Sequence, residues 1–165
     1  MTQFAKINRE DLLFVIQNMR ESDKNEVFAT RWDDSGENLT DDLITGGEFA
    51  WIAGTDDKPV AAFGAIPVWN GVWSVWMVAT DDWKLVALEV TRFIKRVMIQ
   101  ALRDIGAHRA ECRSWSEHTE AHRWLELLGA RKESEIENFG RNGEKFYLYC
   151  WTKEVTKPYL AQPKY

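Results

Sequence analysis

The stretch from Val72 to Ala130 constrains this chain more than any other part of it. A β-rich run, VWSVWMVAT, passes into a long amphipathic segment with only Asp81 and Asp82 between them. That segment carries Val86, Val90, Phe93, Ile94, Val97, Ala101, Leu102 and Ile105 at helical spacing. Lys84, Arg92, Lys95, Arg96 and Arg103 lie mainly off the apolar stripe, and Gly106 is suited to end the helix. Arg109 to Trp115 is again strand-like, and a last helix, with Ser116 as its expected cap, stops at Gly129. A strand, a helix and a strand joined this tightly make a βα unit whose strands run parallel. Units of this kind hold ligands at the carboxyl end of the strand, where the helix begins.

The segments before and after this unit supply the rest of an α/β fold. Phe4 to Ile7 reads as a short strand, followed by Asn8 as an N-cap with Asp11 in the first turn. Leu12, Leu13, Ile16 and Met19, with Val15 beside them, mark the buried stripe of a helix in the run REDLLFVIQNMRESDKNEVFA. Residues 29–47 are polar and acidic, with Leu39, Leu43 and Ile44 as apolar anchors. They are expected to be mostly loop, with a short helix at 41–45 at most, and residues 33–42 are expected to be mobile and open to a partner. Three strands follow, at 48–53, 60–69 and 72–80. Asn70–Gly71 between the last two is a strong hairpin signal, so the three should form an antiparallel meander, interrupted or edged at Pro67. Strands at 131–136 and 145–152 close the sheet, and residues 153–165, with Pro158 and Pro163, form an expected flexible tail after a single domain spanning 1–152.

Charge and composition narrow the function. A net charge of −5 argues against a nucleic-acid surface, which needs a cationic field. The nine tryptophans leave base stacking open, but most sit inside strand or helix patterns, and core filling is the expectation. No segment has the roughly 20 apolar residues a membrane span needs, and MTQFAKINRED lacks the marks of a secretory leader. Cys112 and Cys150 are expected to be reduced core residues rather than a bridge. His118 and His122 lie one helical turn apart without a third ligand, a weak metal signal, and no metal site is expected.

The order and lengths of these elements resemble the core of the GNAT superfamily of acetyl-CoA-dependent N-acetyltransferases. The runs SVWMVATDDWKLVALEVTRFIKRVMIQALRD, HTEAHRWLELLGARKESE and RNGEKFYLYCWTK resemble GNAT-like proteins of short-tailed bacteriophages, a group that includes internal virion proteins. The resemblance implies an α/β fold with a central, mixed and mostly antiparallel sheet of about six to seven strands flanked by helices. It also implies acetyl-CoA as cofactor. If the fourth and fifth strands splay as they do in that family, backbone groups of Met77, Val78 and Thr80 face a groove, with Lys84 as the nearby cation. That groove either pairs with an extended ligand, a pantetheine arm or a peptide strand, or is filled by Trp76, Trp83 and Trp124. The second is the expectation.

Three departures from the family pattern bear on activity. Where the resemblance calls for Arg/Gln-x-x-Gly-x-Gly/Ala around the pyrophosphate, this chain reads Thr80-Asp81-Asp82-Trp83-Lys84-Leu85-Val86-Ala87. Glycines there let backbone N–H groups approach phosphate, and none is present. Each aspartate at ~4 Å from a phosphate opposes binding by up to about 4 kcal/mol before screening. As helix caps, however, the two aspartates make structural sense. The family's proton-donating tyrosine falls at Leu125, within the matching positions His118, Ala121, Trp124, Gly129 and Ala130. The general base, often a glutamate on the fourth strand, is missing from Ser74 to Ala79, so no catalytic residue is assigned. Neither Cys112 nor Ser114 has an evident base at fixed spacing. The expected role is therefore a degenerate acetyl-CoA site acting through contacts with a phage or host protein, in the host cytoplasm or the virion. An active protein N-acetyltransferase is the alternative.

Overall fold

A computed structural model describes residues 1–47 and 49–155. Seven strands form one sheet: β1 (Gln3–Lys6), β2 (Ala50–Gly54), β3 (Pro59–Trp69), β4 (Val72–Ala79), β5 (Arg109–Trp115), β6 (Arg131–Ile136) and β7 (Phe146–Thr152). Their order is β1-β2-β3-β4-β5-β7-β6, and every neighbouring pair is antiparallel except β4 and β5. The meander, the parallel βα unit and the mixed sheet follow the sequence reading. Gly71 takes φ 80° in the β3–β4 turn, and a β-carbon there would lie 2.2 Å from the His108 ring. Glycine is thus required for conformation and for space. The β3–β4 ladder slips between Pro67 and Trp69, at the proline that has no N–H to give.

Helices cover both faces. On one side α1 (Arg9–Gln17), α2 (Glu21–Phe28) and α3 (Gly36–Thr45) bury Leu12, Val15, Ile16, Phe28 and Leu39 against Ile52, Ala62 and Val78. On the other, a 3-10 turn (Asp81–Leu85) leads into α4 (Ala87–Phe93), a π segment (Ile94–Met98) and α5 (Ile99–Asp104). Their Trp83, Val86, Val90, Ile94, Met98 and Leu102 pack on Trp51, Ala61 and Phe63. The last helix, α6 (Thr119–Leu127), covers β5 and β7 through Leu125 and Tyr149.

Four local expectations are corrected. The first helical run is broken, because Arg20 N–H donates to Ala79 O (2.9 Å) and the chain lies briefly along β4 before α2 begins. Residues 29–35 are loop as expected, but 36–45 are not: Ser35 caps α3, Leu39 and Thr40 are buried, and ion pairs from Arg9 and Arg31 reach Asp41 and Asp42. Those contacts come from other parts of the chain and supply the burial that local composition lacks. Ser116 does not cap α6; His118 occupies that position without a capping bond, since its ring is engaged elsewhere. Thr80, not the aspartate pair, caps the helical segment after β4. Trp51 is a core residue as expected and Trp83 is buried too, whereas Trp32 and Trp69 are exposed, and Cys112 and Cys150 are free. The first strand residue expected at Glu48 and the tail beyond residue 155 lie outside the described residues.

Candidate functional site

Strands β4 and β5 pair only at Val72–Arg109, Trp73–Ala110 and Ser74–Glu111, then diverge. Backbone groups in the diverging part alternate between the two sides of the strand. Thr80 N–H donates to Val60 O of β3, so Ala79, Met77 and Val75 turn their N–H and C=O groups toward β5. The same alternation turns Arg113 and Trp115 of β5 toward β4. Between them lies a cavity of about 1120 Å³ that reaches both faces of the sheet. Ile94, Met98, Trp124 and Leu128 wall it on one face, and Asp23 and Glu26 stand on the other.

Both open ends of the strands are capped by carboxylates of α2. Asp23 Oδ2 accepts from Ala79 N–H (2.8 Å), and Glu26 Oε2 accepts from Trp115 N–H (2.9 Å). The two residues are three apart on one helix, so they reach from the same face. Glu26 Oε2 also accepts from Ser114 Oγ (2.9 Å) and lies 2.9 Å from His118 Nδ1. An ionised carboxylate oxygen is an acceptor only, so Nδ1 carries the ring proton. That leaves His118 Nε2, buried and without a hydrogen-bond partner, 3.6 Å from Asp23 Oδ1. Arg20 grips Asp23 through a fork of bonds at 2.8–3.1 Å. Burial depresses the His118 pKa, but the Glu26 bond and the nearby carboxylates outweigh it and hold the ring above its ordinary value. Burial raises the Asp23 carboxyl above its ordinary range despite Arg20. His122 takes no part in this cluster; its Nε2 lies 3.0 Å from Trp115 O and its ring stacks on Tyr149.

The four residues expected to hold a cofactor are dispersed. Met77 alone turns its backbone toward the slot; Val78 spends its groups on β3, Thr80 gives its N–H to Val60 of β3 and its carbonyl to Trp83 N–H, and Lys84 stands exposed on the 3-10 turn. The tryptophans do not fill the slot. Trp83 is buried edge-on against Trp124, whose Nε1–H donates to Thr91 Oγ1 (2.9 Å), and Trp76 and Trp124 form walls. The turn after β4 does not fit a pyrophosphate. Its amides at Asp82 and Trp83 are taken by Thr80, and Lys58, the nearby cation, is bound to Asp82 (2.7 Å). Leu125 lies on the buried side of α6 and has no proton it can transfer. Sequence reasoning missed Asp23 and Glu26 altogether.

A seven-stranded sheet with its fourth and fifth strands splayed, flanked by helices in this order, is the fold of the GNAT acetyltransferases. The match to solved structures runs over nearly the whole chain. The ribosomal-protein-S18-alanine N-acetyltransferase of Escherichia coli superposes with a TM-score of 0.66 at 15% identity, over 96% of this chain and 99% of that one. The protein yncA of Salmonella typhimurium, solved with its cofactor acetyl-CoA, gives 0.70 at 12% identity over 96% and 98%. The ribosomal-protein-S5-alanine acetyltransferase of Vibrio fischeri gives 0.66 at 14% identity over 95% and 96%. At such identities the likeness is one of fold. No protein-family model matches the chain, and no curated protein matches it in sequence.

Proposed function

We propose that this chain keeps the GNAT scaffold as a phage protein without its acetyl-CoA chemistry, and acts through contacts with a phage or host protein. The phage assignment rests on the sequence resemblance, as do its sites of action, the host cytoplasm or the virion. The observation that carries the loss of chemistry is the turn after β4: it is free of glycine, acidic at Asp81 and Asp82, and its nearby cation Lys58 is already paired. A phosphate there meets repulsion where the fold usually offers backbone donors. The second reading, an acetyltransferase with an unusual phosphate contact, is favoured by one feature, the open slot onto which Met77 turns its backbone groups.

Thermal denaturation with acetyl-CoA separates the two. A micromolar ligand at millimolar concentration stabilises by about 4 kcal/mol. For a domain of this size that is a rise in Tm of roughly 8–16 °C. The expected shift is close to zero, and a saturable rise of that order refutes the degenerate reading.

A further inference from the structure

We infer that copies of this chain stack head to tail, the outer face of α4 and the π segment of one copy seated on the outer face of α1 and α3 of the next. Leu88, Arg92, Lys95 and Arg96 on the one surface, and Glu10, Phe14 and Glu37 on the other, lie outside the cavity between β4 and β5. The contact is therefore independent of whether acetyl-CoA binds. Apolar exposure, charge and shape each lead to it.

The helical layer after β4 turns Leu85, Leu88, Val97 and Ile105 to water, at 44–64% exposure. Val97 belongs to the stripe that the sequence assigns to the core. The core is filled instead by Val86, Val90, Ile94, Met98 and Leu102, four residues apart throughout. The wider π turn at Ile94–Met98 keeps that spacing on one face and leaves Val97 outside. Charge divides along the same layers. From Lys84 to Arg103 five cations stand against Glu89 alone, which is paired with Arg92. Lys84, Lys95 and Arg96 are exposed and make no ion pair among the described residues. On the opposite side of the sheet, residues 9–45 hold ten carboxylates against four cations. Glu10, Glu21 and Glu37 are exposed there and likewise unpaired among the described residues. One layer is thus basic and the other acidic, and the sheet between them prevents their meeting within a copy. Shape supplies the fit. The outer face of α1 has a shallow hollow lined by Arg9, Glu10, Leu13, Phe14 and Gln17, and its Arg9 is held by Asp41 (3.1 Å). Glu37 stands beside that hollow, because Gly36 packs on Ile16 of α1. Leu88 is 61% exposed, with Arg92 and Arg96 at successive four-residue steps along its helix. Seating Leu88 in the hollow covers Leu88 and Phe14 together and brings Glu10 and Glu37 among the cations. A second copy answers both faces at once, a basic surface for the acidic one and the reverse. The two surfaces differ, so the contact is heterologous, and each added copy leaves a face free for another.

Sedimentation equilibrium of the whole chain, up to millimolar concentration, tests the stack in about 0.01 M and about 1 M sodium chloride, where charges are screened over about 30 Å and about 3 Å. Expected is an average mass that climbs past the dimer at low salt and falls to the monomer at high salt. Lys95→Glu with Arg96→Glu, and separately Glu10→Lys with Glu37→Lys, should each weaken association at least tenfold. An equimolar mixture of the two variants should associate again, because each reversed face then meets its complement. Glu10 and Glu37 lie in first helical turns, where lysine is unfavourable, so the mixture decides the matter rather than either variant alone. The inference is overturned if the parent stays monomeric at both salt concentrations, if its mass levels off at the dimer, or if the mixed variants remain apart. A parent that is monomeric alone and binds phosphatidylserine vesicles overturns it in favour of a lipid surface. Acetyl-CoA titrated into the monomeric variants bears on the degenerate reading alone, since no substituted residue lines the cavity.

Discussion

Replacing Glu26 by alanine tests whether the cluster at the mouth of the slot holds the splayed strands to α2. One oxygen, Oε2, accepts from Ser114 Oγ, Trp115 N–H and His118 Nδ1–H, and Ser114 and His118 are buried. The serine hydroxyl can rotate to another acceptor, but the amide and the ring N–H are fixed in direction. A buried donor left unmade costs about 1–3 kcal/mol, and water entering the slot recovers part of it for the amide. The net loss is therefore about 2–4 kcal/mol, or roughly 5–15 °C in Tm for a domain of this size. Glu26→Gln keeps one carbonyl oxygen for the same donors and gives up the charge, so its loss should be near 1 kcal/mol. Urea unfolding followed by tryptophan fluorescence measures both, and the order expected is parent, then glutamine, then alanine. Equal losses for the two variants, or an alanine variant within about 0.5 kcal/mol of the parent, would refute the account.

The pH dependence of stability should show the same cluster. The His118 pKa is raised in the folded state, so its contribution is fully present below the ordinary value of 6.5 and is lost as pH rises through the folded value; Tm should fall over that range, and His118→Gln should flatten the slope. Asp23, also raised, acts with the same sign in the acid range above 3.8. Asp81→Arg with Asp82→Gly removes two negative charges, adds a cation and releases Lys58, and should raise CoA affinity measured calorimetrically at low ionic strength; unchanged affinity in a folded variant would show that the phosphate turn is misplaced. Gly64→Ala puts a β-carbon 2.6 Å from Phe49 O and 2.5 Å from Ala50 Cβ in the β2–β3 ladder and should cost at least 1–3 kcal/mol by thermal melt; a neutral outcome would mean that β2 and β3 are less closely apposed.

The fold was legible where the signal is local. The stripe from Val86 to Leu102, Asn70–Gly71, and the glycines after α5 and α6 each fix an element without help from distant residues. α3 was not legible, because the burial that orders Leu39 and Thr40 comes from α1 and β3, and acidic composition alone favours a loop. The site was legible only as a place, the splay after Ser74. Its chemistry joins Glu26 to Ser114 and His118, residues 88 and 92 positions away, and no spacing rule spans that distance. One signal was present in the sequence: Asp23 lies one helical turn before Val27, with Glu26 on the same side of α2. A carboxylate aimed at a core needs a donor there, and a splayed sheet provides unclaimed amides.

The carboxylates of α2 and those of the turn act on the same end of the slot. Asp23 is bonded to the last residue of β4, and Asp81 and Asp82 follow two and three residues on. An anionic ligand reaching that end meets both sets. Correcting the turn leaves the α2 set in place, and its removal leaves Ala79 and Trp115 without the acceptors their amides use. Acidity at the turn is replaceable at the surface at little structural cost, whereas acidity from α2 is part of what holds the first helices to the sheet. The turn variant should therefore gain CoA affinity but stop short of a typical cofactor site. A further gain from Glu26→Gln on that background, measured against its own loss of stability, would separate the electrostatic barrier from the structural bond carried by the same side chain.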